Sequence, residues 1–122
     1  MLKEYKDVKQ NPGSKRRWFS DSSLDLTVWY DEKGALFGFQ LCYDIASQPH
    51  AFTFKPKSGL THEKIDTGEG DPRKNLSPLL VPDGTPPLKR VIDEFIAKSK
   101  DLEEDISTFV LDKLKESFYK AQ

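Results

Sequence analysis

The sequence predicts an α+β fold: an antiparallel meander sheet of four to five strands with a C-terminal helical hairpin packed on one face. Three observations carry that expectation. From Leu24 to Asp44, apolar and polar residues alternate on both sides of the turn Asp31-Glu32-Lys33-Gly34. A second alternating pair, with its own glycine-ended turn Pro56-Lys57-Ser58-Gly59, follows between Ala51 and Ile65. Beyond Thr85 the spacing becomes helical, with Leu88, Val91, Ile92, Phe95 and Ile96 on a single stripe.

At 122 residues the chain reads as a single domain: an N-terminal arm over 1–23, the sheet over 24–81 and the helical hairpin over 85–119. In the arm, Tyr5 and Val8 suit a short edge strand and Asn11-Pro12-Gly13 a turn. A basic cluster follows, in which Arg16 and Arg17 run into Trp18 and Phe19. Cations interleaved with aromatics can hold phosphates and stack bases, which makes Arg16, Arg17 and Trp18 candidates for nucleic acid. The plainer expectation is that Trp18 and Phe19 lie over the outer sheet face while the cations stay hydrated.

Register in the first hairpin follows from loop length, because a slip of one residue turns a whole strand over. A four-residue loop sets Tyr30 opposite Ala35, Val28 opposite Phe37, Leu26 opposite Phe39 and Leu24 opposite Leu41. The outer face then carries Asp25, Thr27 and Trp29 beside Leu36, Gly38, Gln40, Cys42 and Asp44. The same rule in the second hairpin sets Lys55 opposite Leu60 and Thr53 opposite His62. His62 and Leu60 thereby face outward, and Thr61, Glu63 and Ile65 join Phe52 and Phe54 inside. Glu63 is a poor core residue, so that strand is expected at an edge or frayed.

Residues 66–75 form a polar, glycine-containing loop, and Leu76 to Val81 a last strand that its prolines suit to an edge. Thr85-Pro86-Pro87 opens the first helix with Thr85 as its cap. Asp101 with Glu104 reads as a capping box for the second, whose stripe is Leu102, Ile106, Phe109, Val110, Leu114 and Phe118.

A net charge of −1 steers the chain towards neither nucleic acid nor anionic membrane. Its single cysteine excludes an intrachain disulfide and a multi-cysteine metal cluster. With no signal-peptide core and no apolar run of membrane-spanning length, the expected location is cytoplasmic.

Four constellations could carry chemistry. Cys42 with a histidine supplies the parts of a thiol nucleophile, but a meander puts another strand between Cys42 and His62. His50, His62, Asp44, Asp66 and Glu69 could ligate a metal, yet no HxH, HxxxH or calcium-loop spacing occurs, so no metal or cofactor is expected. Asp66-Thr67-Gly68 matches the tripeptide of retroviral-type aspartic proteases, without the apolar lead-in that such a site needs. The fourth is the outer face itself. Trp29, Leu36 and Leu60 beside Gln40, Cys42, Asp44, Thr53 and His62 make an apolar patch with a polar rim.

The segments Arg16-Arg17-Trp18-Phe19-Ser20-Asp21 and Gly38-Phe39-Gln40-Leu41-Cys42-Tyr43-Asp44 resemble a set of small uncharacterised bacterial proteins. The likeness runs on through His62 to Glu69 and Pro78 to Gly84, and it implies a bacterial source and a stand-alone domain. No activity is attached to that set, so the resemblance implies no site residue.

The expectation for function is a binding or interaction module, monomeric or homodimeric, that engages a protein or small molecule. Its contact residues are Trp29, Gln40, Cys42, Asp44, His62 and Glu69, with the 66–75 loop. The alternatives are a small enzyme with Asp44, His62 and Asp66 as acid–base groups, and weak RNA or nucleotide binding through Arg16, Arg17 and Trp18.

Overall fold

The structure, a computed structural model, describes residues 1–5, 15–66, 79–82 and 87–120. Strands β1 (Lys3–Tyr5), β2 (Lys15–Ser20), β3 (Leu24–Tyr30), β4 (Leu36–Tyr43), β5 (His50–Lys55), β6 (Gly59–Asp66) and β7 (Leu79–Pro82) precede helices α1 (Leu88–Lys98) and α2 (Glu104–Lys120). The strands form one antiparallel sheet in chain order. The meander and the two C-terminal helices are therefore as expected, but among the described residues the sheet has seven strands, not four or five. The difference lies mainly at the N-terminus. Lys15–Ser20 pairs along the length of β3, so the basic cluster is a strand extending the sheet and does not lie across it.

One face of the sheet is covered by both helices. Leu24, Leu26, Val28, Phe39, Leu41, Tyr43 and Phe52 form a single cluster with Val91, Phe95, Ile106, Val110 and Leu114, all nearly inaccessible to solvent. Phe109 of α2 sets its edge against Phe39 and Phe54 at centroid distances of 6.2 and 5.8 Å. Each such buried side chain contributes about 1.5–3 kcal/mol of transfer free energy, which is what holds the helices to the sheet. Ile96, placed on the buried stripe by its spacing, lies at the rim and is 42 % exposed.

Register departs from expectation in both hairpins. In the first, Leu24 pairs with Tyr43, Leu26 with Leu41 and Val28 with Phe39, two residues away from the four-residue-loop register. A shift of two preserves which face each residue occupies, so the core assignment of these residues survives. The ladder then breaks between Trp29 and Tyr30: Trp29 meets Gly38 and Tyr30 meets Leu36, leaving Phe37 as the extra residue of a bulge. That insertion turns Leu36 from the expected outer face to the core side, where it packs against the cluster.

The second hairpin slips by one. Lys55 pairs with Gly59, Phe54 with Leu60, Thr53 with Thr61 and Phe52 with His62. The loop has three residues, Pro56 to Ser58, and Gly59 takes φ +72°, the arrangement in which a left-handed residue follows a tight turn. A slip of one inverts β6. His62 and Leu60 face the core side, while Thr61, Glu63 and Ile65 face outward, which removes the buried glutamate the expected register required.

The helix starts also differ. Pro87 occupies the cap position of α1 with no side-chain cap bond, and Thr85 lies outside the described residues. α2 begins after Glu103, whose carbonyl accepts from the Ser107 N–H, so the Asp101–Glu104 capping box does not form.

Candidate functional site

Cross-strand pairing sorts the outer face into rows. The middle row crosses six strands: Tyr5, Trp18, Thr27, Gln40, Thr53 and Thr61. One step towards the β3–β4 turn lie Arg16, Trp29 and Gly38, with the Lys55 ammonium 5.6 Å from the centre of the Trp29 ring. One step the other way lie Lys3, Ser20, Asp25, Cys42, Ala51 and Glu63. Among the described residues no helix lies across this face, and its central polar groups bond to one another. Gln40 Nε2 donates to Thr53 Oγ1 at 3.1 Å, and the Thr61 hydroxyl donates to the Thr53 carbonyl at 3.3 Å.

Two of the aromatics on this face stack on each other and the third packs against a glycine. Tyr5 and Trp18 stack with centroids 4.5 Å apart, and Trp18 Nε1–H donates to Asp25 Oδ1. Trp29 rests over Gly38, where a Cβ would meet its ring at 3.0 Å. Burial pushes the Asp25 carboxyl above the usual carboxylate range, and the Trp18 bond only partly offsets it. Cys42 pairs with Asp25, and burial followed by that charge pushes its thiol up to about 12. A thiol at that value carries almost no thiolate near neutrality, which opposes a nucleophilic or metal-binding role.

The residues expected on one surface divide between two. Trp29, Gln40 and Cys42 are on the outer face, whereas Asp44 and His62 belong to the helix side. Asp44 takes φ +53°, a left-handed conformation uncommon outside glycine. Its carboxylate receives both Arg90 amino groups, at 3.1 and 2.8 Å. That fork holds the Asp44 carboxyl below its usual range. Arg90, on α1, also lies over the Tyr43 ring at 5.5 Å.

Next to this ion pair stands a stack of aromatic and imidazole rings. Tyr43 Oη and His62 Nε2 share a hydrogen bond of 2.5 Å whose direction depends on the histidine tautomer. His50 and His62 are parallel to within 4° at 5.4 Å, and Phe52 packs on His62 at 4.7 Å. His50 Nδ1 lies 2.7 Å from the Gln48 carbonyl, which can only accept, so that nitrogen carries the proton. The β6 backbone continues from His62 to Asp66, whose strand partner is Leu79; Glu69 and the rest of the 66–75 loop lie outside the described residues. Among the described residues no three His, Cys, Asp or Glu side chains gather closely enough to hold a metal ion.

Arg17 also changes sides. Its strand partner is Val28 on the core face, and its guanidinium donates to both Glu4 oxygens at 2.9 and 2.8 Å and reaches Glu103 at 3.0 Å. It borders a hollow of about 330 Å³ with Leu2, Phe19 and Leu102, but two carboxylates already neutralise it, so the hollow does not suit an anion. Phe19 likewise joins the core and does not cover the outer face.

Sequence reasoning missed Tyr43 as a partner of His62, Arg90 as the partner of Asp44, and Tyr5 as part of the outer face. Nothing local marks Arg90, since its role depends on how α1 docks. Tyr5 was legible only as an edge-strand residue. No family model, curated protein or solved structure matches this chain.

Proposed function

We propose that this chain is a binding module whose contact surface is the outer sheet face; the 66–75 loop, expected from the sequence to share in binding, lies beyond the described residues after Asp66. One observation carries this reading: Tyr5, Trp18 and Trp29 all stand on that face, beside hydrogen-bonded Thr and Gln side chains and away from the helices. Large aromatics with polar neighbours supply contact area at low entropic cost, as interfaces favour. Trp18 and Trp29 are the only tryptophans, so intrinsic fluorescence reports directly on the surface. Titration with a partner is expected to shift that emission. Trp29→Ala is expected to weaken binding by about 2 kcal/mol or more while leaving the helical circular dichroism unchanged. Loss of helicity in the variant, or unchanged affinity, would remove the reading.

A specific observation also favours the acid–base alternative. The Tyr43–His62 hydrogen bond beside the Arg90–Asp44 fork is an arrangement in which an imidazole and a phenol could exchange a proton with a substrate. It predicts that His62→Ala abolishes a small-molecule response that Trp29→Ala leaves intact. The nucleic-acid alternative keeps Arg16 and Trp18, which share the outer face, but not Arg17.

A further inference from the structure

We propose that the occupant of the outer face is a second copy of this chain, the two sheets packing face to face about a two-fold axis that lies along the middle row. The proposal rests on the reading of that face as the contact surface and names its partner.

The charge pattern argues for self-association. The row containing Trp29 carries Arg16 and Lys55, while the row on the far side of the neutral Thr–Gln row carries Asp25 and Glu63, with Lys3 at its β1 end. A two-fold axis along the middle row lays each copy's basic row over the other's acidic row. Arg16 on β2 comes within reach of Asp25 on the neighbouring strand of the other copy, and Lys55 on β5 within reach of Glu63 in the same way. Thr27, Gln40 and Thr53 meet their own counterparts, which can exchange hydrogen bonds. A polyanion would meet the same Asp25 and Glu63 as repulsion, so the two-signed pattern disfavours nucleic acid as the occupant.

Area and burial agree with this. Six strands at about 4.8 Å and three rows at about 6.7 Å give a patch near 600 Å² per copy, about 1,200 Å² in total, at the lower end of specific interfaces. The Asp25 carboxyl, raised by burial and paired among the described residues with a neutral indole N–H, is the kind of charge that an incoming arginine stabilises. An interface of this size is typical of weak, transient association.

Sedimentation equilibrium on the full chain, up to about 1 mM, tests the proposal. The wild type is expected to dimerise. Lys55→Glu and Glu63→Lys alone are each expected to weaken the dimer about tenfold, since each sets like charges together at both contacts. An equimolar mixture of the two variants is expected to recover wild-type association, because opposite charges then meet again, and that recovery shows both variants are folded. A wild type that stays monomeric at about 1 mM, single variants that associate normally, or a mixture that fails to recover would each overturn the proposal. Acrylamide quenching of a monomeric wild type separates the two readings. Accessible tryptophans would sink the dimer alone, and shielded ones would sink the outer-face reading with it.

Discussion

Asp25 shows how one side chain can act against the fold that holds it. Its carboxyl sits on the sheet beside Cys42, accepts one hydrogen bond from Trp18, and is pushed above its usual pKa chiefly by burial. A carboxyl whose folded pKa is raised costs stability when ionised. The cost is absent below the unfolded pKa and complete above the folded one. Asp25→Asn keeps an oxygen for the indole N–H and removes the charge. In dilute protein its melting temperature at pH 7 is expected to exceed that of the wild type, with the difference vanishing as pH falls below the usual carboxylate range. A lower melting temperature at pH 7 would show that the indole bond outweighs burial. Arg17 illustrates a different residue-scale lesson. Its neighbours in sequence, Arg16 and Trp18, share the outer face, yet alternation sends Arg17 to the helix side, where Glu4 and Glu103 neutralise it. Grouping the three as one basic patch ignored the period of the strand they form.

At the scale of the element, the two hairpins place their glycines for different reasons. Gly38 lies at the bulge where Trp29 crosses β4, and a Cβ there would sit 2.7 Å from the Phe54 carbonyl oxygen and 3.0 Å from the Trp29 ring. The carbonyl belongs to a paired strand and cannot easily yield. Gly59 has open space around it but takes φ +72°. Gly38→Ala is therefore expected to destabilise by about 2–3 kcal/mol through overpacking. Gly59→Ala should cost about 1 kcal/mol through left-handed strain alone. Urea denaturation of the two variants checks the order, and equal costs would mean that the clash at Gly38 is relieved by movement of the ring. The bulge and the tight turn are also why register resisted prediction. Counting loop residues assumes regular pairing up to the turn. Phe37 and Gly59 each break that regularity, one by insertion and one by left-handed geometry.

At the scale of the whole molecule, carboxylates tie the sheet to the helices and set the response to acid. Burial raises the Asp21 carboxyl, but the Ser23 and Leu24 N–H donors together with Lys98 of α1 outweigh it, and the net shift is downward. Asp44, forked by Arg90 of the same helix, is also lowered. Stability from a lowered carboxyl is present above the unfolded pKa and lost as pH falls through the folded one. The chain is expected to lose stability steadily from about pH 5 downward. A variant with Asp21→Asn and Asp44→Asn should start less stable at pH 7 and show a flatter acid limb in urea titrations. An acid limb as steep as that of the wild type would place the sensitivity elsewhere. Among the described residues no helix is long and apolar enough to cross a membrane.

The sequence by itself determined the class of the fold, its strand-then-helix order and the inward set Leu24, Leu26, Val28, Phe39 and Leu41. Alternation and helical spacing are local patterns, and a shift of two residues leaves a strand's faces unchanged. It also marked Trp29, Gln40 and Cys42 as residues of one face. Only the tertiary structure decided the side of His62, the partner of Asp44 and the place of Arg17. Each turns on a one-residue choice of register or on the docking of α1. Those are settled by how turns, bulges and helices fit one shared core, which no stretch of sequence contains alone.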